Sequence, residues 1–324
     1  MSNAQTALQP PLASGVARLG FGPLSLAGLK DRYAHPDSGS RFIELGGFNV
    51  HYRDEGDRNK PALVLIHGVV ASLHTWDDWL PAFAADYRVI RFDVPGFGLT
   101  GPARDGVYSA ERMIEVFDLL LDHLGVSQAS LVGNSLGGYI AWNYALAKPA
   151  RVTKLVLIDP AGYPMAKVPW MIASAALPGA TLAMPLWMPR ALIAQGVKEV
   201  YGDRGRIKPG VIERYYDLSR RPGNRKSMMQ IFRVLLQVIA STCTTPGHGS
   251  RRSKRQPCCC GASVIAGFHP SMCRCGSVIC RASRSRSIPV SGISPWKKSP
   301  LRAPRMFGAF CSAEQTPKTR PREG

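Results

Sequence analysis

Apolar and polar positions alternate in Arg41–Leu45 and again in Phe48–Tyr52, and Gly46-Gly47 joins the two runs. Two such runs around a two-glycine connection predict a β-hairpin. Pro61 to Ile66, Ala129 to Val132 and Lys154 to Ile158 are short apolar runs of buried-strand type, and Tyr87 to Asp93 is another expected strand. Between them, Met113, Val116, Phe117, Leu120 and Leu124 recur at helical spacing. Ser109 is placed to cap that helix, Glu111 suits its first turn, and Gly125 suits its end. A second helix is expected over Leu136 to Ala147. Strands alternating with helices predict a mostly parallel sheet covered on both faces.

Residues 1–40 show no clear period and read as an irregular lead-in to a core over 41–162. The strand pattern stops after that. Residues 163–238 mix prolines with apolar helical stretches holding Met165, Trp170, Met171, Met184, Trp187 and Met188, then turn basic. They read as a helical cap over the sheet. Its Met and Trp residues suit either ordinary core or an apolar substrate wall.

Charge sharpens the partition. The 324 residues hold 41 Lys and Arg against 22 Asp and Glu, a net charge of +19, and eight cysteines. Residues 1–240 contribute 26 basic and 20 acidic side chains and no cysteine. Residues 241–324 contribute 15 basic and 2 acidic, with every cysteine and no Asp. The total therefore describes neither part. No run of 18 apolar residues predicts a membrane span, and the glycine-broken stretch Leu19 to Leu29 does not read as a secretory signal, so a cytoplasmic protein is expected.

Gly133-Asn134-Ser135-Leu136-Gly137 sits between an expected strand and an expected helix. This is the context in which G-x-S-x-G forms a nucleophile elbow, with glycines where no Cβ fits and the Ser135 hydroxyl raised above the sheet. Developing negative charge would face the helix N-terminus. The backbone amides of Val69 and Leu136 are the expected oxyanion-hole donors. His67 reads as ordering its own loop rather than as an acid or base.

With His67-Gly68, Trp76, Asp93-Val-Pro-Gly-Phe-Gly98, Gly133 to Gly138 and Leu157 to Pro160, residues 41–238 resemble the α/β-hydrolase superfamily, in its esterase- and lipase-like branch. The resemblance implies an α/β-hydrolase fold with a cap after the sixth strand, no cofactor or metal, and a small-molecule ester substrate. Ser at the elbow speaks against the epoxide-hydrolase and dehalogenase branches, which place Asp there. Carbon–carbon bond hydrolysis and perhydrolysis use the same triad and stay as alternatives.

The family chemistry needs Ser, then an acid, then His. The acid and His belong after a seventh and an eighth strand, where this chain has no Asp and only His248 and His269 in unrelated contexts. Asp159 is a conceivable substitute acid, but it reads first as a structural loop cap, with no partner His evident. The last two strands and the closing helix are therefore expected to be missing. Metal binding by Cys258, Cys259, Cys260, Cys273, Cys275 and Cys280 fails on spacing. Nucleic-acid binding by Arg281 to Ser287 lacks aromatic interleaving.

The genetic code suggests another origin for residues 239–324. Reading each codon as the last base of one residue and the first two of the next, the consecutive Cys258-Cys259-Cys260 force two leucines in an apolar strand. The junction of Val264 and Ile265 then permits Asp, and that of Gly292 and Ile293 permits His. Both fall in family-like order, so a frameshift beginning around Ile239 to Ser241 is expected. The chain as written then reads as an impaired enzyme or an inactive pseudo-hydrolase.

Overall fold

The computed structural model describes residues 19–163, 168–201, 203–243 and 263–265. Helix α1 (Leu26–Tyr33) precedes strands β1 (Arg41–Leu45), β2 (Phe48–Glu55) and β3 (Ala62–Ile66). Then come α2 (Leu80–Phe83), β4 (Arg88–Phe92), α3 (Ala110–His123), β5 (Ala129–Asn134), α4 (Leu136–Ala147) and β6 (Val152–Ile158). Helices α5 (Trp170–Ala173), α6 (Ala180–Leu186), α7 (Arg190–Val200), α8 (Val211–Ser219) and α9 (Asn224–Cys243) follow, and β7 (Ser263–Ile265) is the last described element.

The sheet order is β1-β2-β4-β3-β5-β6-β7. Strands β4, β3, β5 and β6 run parallel, as their apolar runs predict. Strands β1 and β2 form the expected hairpin, with Leu45 opposite Phe48. Gly46 and Gly47 both take positive φ (54° and 83°), the twist that a two-residue hairpin turn requires. Beyond β6, where no seventh strand is expected in the chain as written, Ser263–Ile265 pairs antiparallel with Leu155–Leu157. The remainder of the expected tail, with His248, His269 and the cysteines from Cys258 onward, lies outside the described residues.

Side-chain alternation divides the core. Val64, Ile66, Ile90, Phe92 and Leu131 point to the face covered by α3, α4 and the cap, whereas Leu63, Leu65, Val89 and Val132 meet Trp76, Trp79 and Phe83 on the other. Helix α3 keeps its predicted cap, Ser109 Oγ accepting from the Arg112 amide at 3.2 Å.

The irregular reading of residues 1–40 needs correction. Helix α1 is capped by Ser25, and Leu24 and Leu29 are buried against Leu99 and Leu218. Eight residues with one fully buried side chain leave little periodic signal. Tertiary contacts hold the helix instead: Tyr33 donates to Asp217 at 2.8 Å, and Arg32 lies 3.2 Å from the same carboxylate. Just before it, buried Arg220 and Arg225 donate to the carbonyls of Phe21, Gly22 and Gly20.

Candidate active site

Ser135 stands between the end of β5 and the start of α4, with φ 53° and ψ −115°. For a residue with a side chain this backbone costs free energy, and neighbours on three sides hold it. Its amide donates to the Ile158 carbonyl at 3.0 Å, and its carbonyl accepts from Tyr139 and Ala161, both at 3.0 Å. Glycine is obligatory beside it. A Cβ on Gly137 would lie 2.1 Å from the Ile66 carbonyl oxygen, and one on Gly133 2.4 Å from that of Gly137. The helix can begin this close to β3 only without those side chains.

The loop after β3 reaches the same point. A Cβ on Gly68 would stand 3.0 Å from the Ser135 Cβ, and Val69 follows it in a partly buried position. Leu136 is buried and is the first residue of α4, so its amide has no acceptor within the helix. The strand ends thus bring Ser135, Leu136 and the Gly68–Val69 segment to one rim of the sheet. Among the described residues, Val70 (φ 59°), Ser135 and Asp159 (φ 44°) are the non-glycine residues with positive φ, and each follows a strand at this rim. Asp159 is exposed there.

Both ring nitrogens of His67 are engaged, as a loop-ordering role predicts. Nδ1–H donates to the Gly68 carbonyl at 2.7 Å, while Nε2 accepts from the Val94 amide at 2.9 Å. Full burial pushes its pKa down, so it stays neutral. The supporting network centres on Asp93, whose part the sequence motif did not disclose. Its buried carboxylate accepts from the Leu73 amide (2.7 Å), the Leu99 amide (2.6 Å) and His51 Nδ1 (2.7 Å). Burial alone would raise its pKa, but His51, bonded to it through Nδ1, holds it well below the usual carboxylate range. Asp93 thereby ties β2, the β3 loop and Gly98-Leu99 together. On that loop His74 donates from Nε2 to the Tyr33 carbonyl (2.8 Å) and accepts at Nδ1 from Ser72 (3.1 Å). Burial, with Arg214 and Arg53 nearby, pushes its pKa down to about 3.

The cap joins the core continuously. Met188, Met228 and Met229 are buried, and Met171 and Met184 pack partly buried on the cluster that also takes in Val69, Tyr139 and Trp142. Met188 is therefore ordinary core, Trp187 is exposed, and Met165 lies outside the described residues. Among the described residues no cluster of three or more His, Cys, Asp or Glu could hold a metal ion, and no helix is long and apolar enough to cross a membrane.

Comparison with known proteins agrees with this geometry. Residues 61–199 match the family described as alpha/beta hydrolase fold. The chain is 36% identical to mouse epoxide hydrolase 4 over 118 residues, 36% of this chain and 33% of that protein. It is 42% identical to a 2-hydroxy-6-oxononadienedioate/2-hydroxy-6-oxononatrienedioate hydrolase of Burkholderia vietnamiensis over 113 residues, 34% of this chain and 39% of that one. It spans between 24% and 64% of the length of the curated relatives it matches. The 2-hydroxy-6-oxo-6-phenylhexa-2,4-dienoate hydrolase of a Rhodococcus species shares its fold, at 23% identity and a TM-score of 0.52 over 63% of this chain and 75% of that structure. With the strand order, the elbow and the match over residues 61–199 in agreement, this chain has the α/β-hydrolase fold.

Proposed function

We propose that this protein derives from a serine hydrolase of carboxylic esters with an apolar acyl or alcohol part, with Ser135 as nucleophile. The observation that supports this most is the left-handed backbone of Ser135 at a strand–helix junction that admits only glycine at 133 and 137. In this reading Ser135 Oγ attacks the acyl carbonyl carbon while a base takes its proton. The alcohol leaves with that proton, and water then hydrolyses the acyl-enzyme. The amides of Val69 and Leu136 stabilise the oxyanion. Partly buried Met171, Met184 and Trp142 suit an apolar substrate. The acid and the base belong to the segment lost by the frameshift proposed near Ile239 to Ser241, in a protein read as cytoplasmic.

A frame-corrected protein should turn over p-nitrophenyl esters, and Ser135→Ala should lower the rate by more than about 10³-fold. The 324-residue chain should show little turnover and poor solubility. A DNA read across the codons for Gln237 to Thr244 tests the frameshift directly; an intact frame relative to a close relative sinks it. Ester turnover by the chain as written would overturn the impaired reading.

One observation favours a second reading, carbon–carbon bond hydrolysis: the 42% identity to the Burkholderia enzyme. Bleaching of a 2-hydroxy-6-oxo dienoate by the frame-corrected protein, faster than ester turnover, would select it. Epoxide hydrolysis fits less well, because Ser135 stands where that branch places Asp.

A further inference from the structure

The twenty residues from Trp170 to Pro189 contain no charge. Helix α6 buries none of its own residues, although six of its seven are apolar. Leu177, Leu182 and Leu186 are 62%, 76% and 72% exposed. The N-terminal segment extends this face, because Trp187 Nε1–H donates to the Leu19 carbonyl at 3.1 Å and the rings of Phe21 and Trp187 lie 6.3 Å apart. Leu19, Phe21 and Trp187 are themselves 63%, 46% and 48% exposed. These six exposed apolar side chains lie on or beside one helix, a concentration of the kind that marks an interaction site.

Charge selects the occupant. Helices α5, α6 and α9 hold no acidic residue, and α9, against which α6 packs, exposes Lys226 and Arg233. Residues 163–238 hold twelve Lys and Arg against four Asp and Glu. Two such caps placed face to face would repel, whereas an anionic surface would be attracted. Exposed leucines and a tryptophan on a basic cap suit the boundary between lipid headgroups and acyl chains.

We propose that the face formed by α6, Trp187 and residues 19–21 docks on an anionic lipid surface without spanning it. This does not rest on the ester reading.

The test uses the full chain with vesicles of phosphatidylcholine and one-third phosphatidylglycerol, some carrying bromine-labelled acyl chains. Tryptophan emission should be quenched in the unaltered protein, with that quenching lost in Trp187→Phe. The pair Leu182→Ser and Leu186→Ser should lower the partition coefficient at least tenfold, because two leucines then no longer leave water. Leu177→Ser is the independent check should the pair affect folding, and should also lower it. Binding without quenching at Trp187 would assign the adsorption to the basic residues 241–324 and overturn the proposal. A dimer in light scattering that the leucine pair abolishes would assign the face to a second copy and overturn it too. So would no binding at all.

Discussion

Residues 1–162 carry fourteen Lys and Arg against sixteen Asp and Glu, whereas residues 163–238 carry twelve against four. The balanced part holds its shape through backbone approach. At the Ser135 rim, β3, β5 and α4 come so near that glycine alone fits at 137, and Asp93 fastens three segments through one buried carboxylate. The basic part is joined to the N-terminal segment by long side chains. Arg220 and Arg225 reach carbonyls of the N-terminal segment and of Met188, and Tyr33 and Arg32 reach back to Asp217. Backbone contact fixes atoms to tenths of an ångström. Arginine clamps fix a position while leaving one face of the cap bare.

The sharpest way to break this contrast is at its tightest point. Gly137→Ala should cost about 4 kcal/mol or prevent folding, since the new methyl would meet the Ile66 carbonyl, and chemical denaturation should read the loss. A cost under about 1 kcal/mol would show that α4 can shift away from β3. Arg220→Ala should cost less, about 2 kcal/mol, by leaving the Phe21 and Gly22 carbonyls without their donor. Limited proteolysis should then cut near residues 19–24 while the sheet stays intact.

The smallest effect concerns pH. With a folded pKa near 3 and an ordinary value of 6.5, His74 stays neutral in the fold while the unfolded chain takes up a proton. Its contribution should fall gradually as pH drops from about 6.5 towards about 3. Denaturation midpoints for His74→Gln should show a shallower slope across that window; an unchanged slope would remove His74 as the cause.

The strands and α4 were legible because burial on both faces forces unbroken apolar runs, such as Leu63 to Ile66, and because the elbow's glycines are chemically necessary. Helix α4 matches its expected limits. Helix α1 was not legible, since Leu29 alone is fully buried and Asp217, which holds the helix through Tyr33, lies nearly two hundred residues away. Asp93 was visible within its motif, but its bond to His51 joins residues 42 apart and follows no local period. Likewise Met188 and Trp187 are adjacent, yet one is buried and the other exposed, which hydropathy does not distinguish.

Val70, Ser135 and Asp159 each keep a side chain on a left-handed backbone, at a cost of about 1–3 kcal/mol per residue. Glycine at Val70 or Asp159 would relieve that cost, so laboratory evolution for heat resistance alone would favour it there. The same change would loosen the two strand ends that flank Ser135. Thermal selection on this scaffold therefore has a built-in direction, toward a sturdier sheet around a blunter rim, unless turnover is selected alongside.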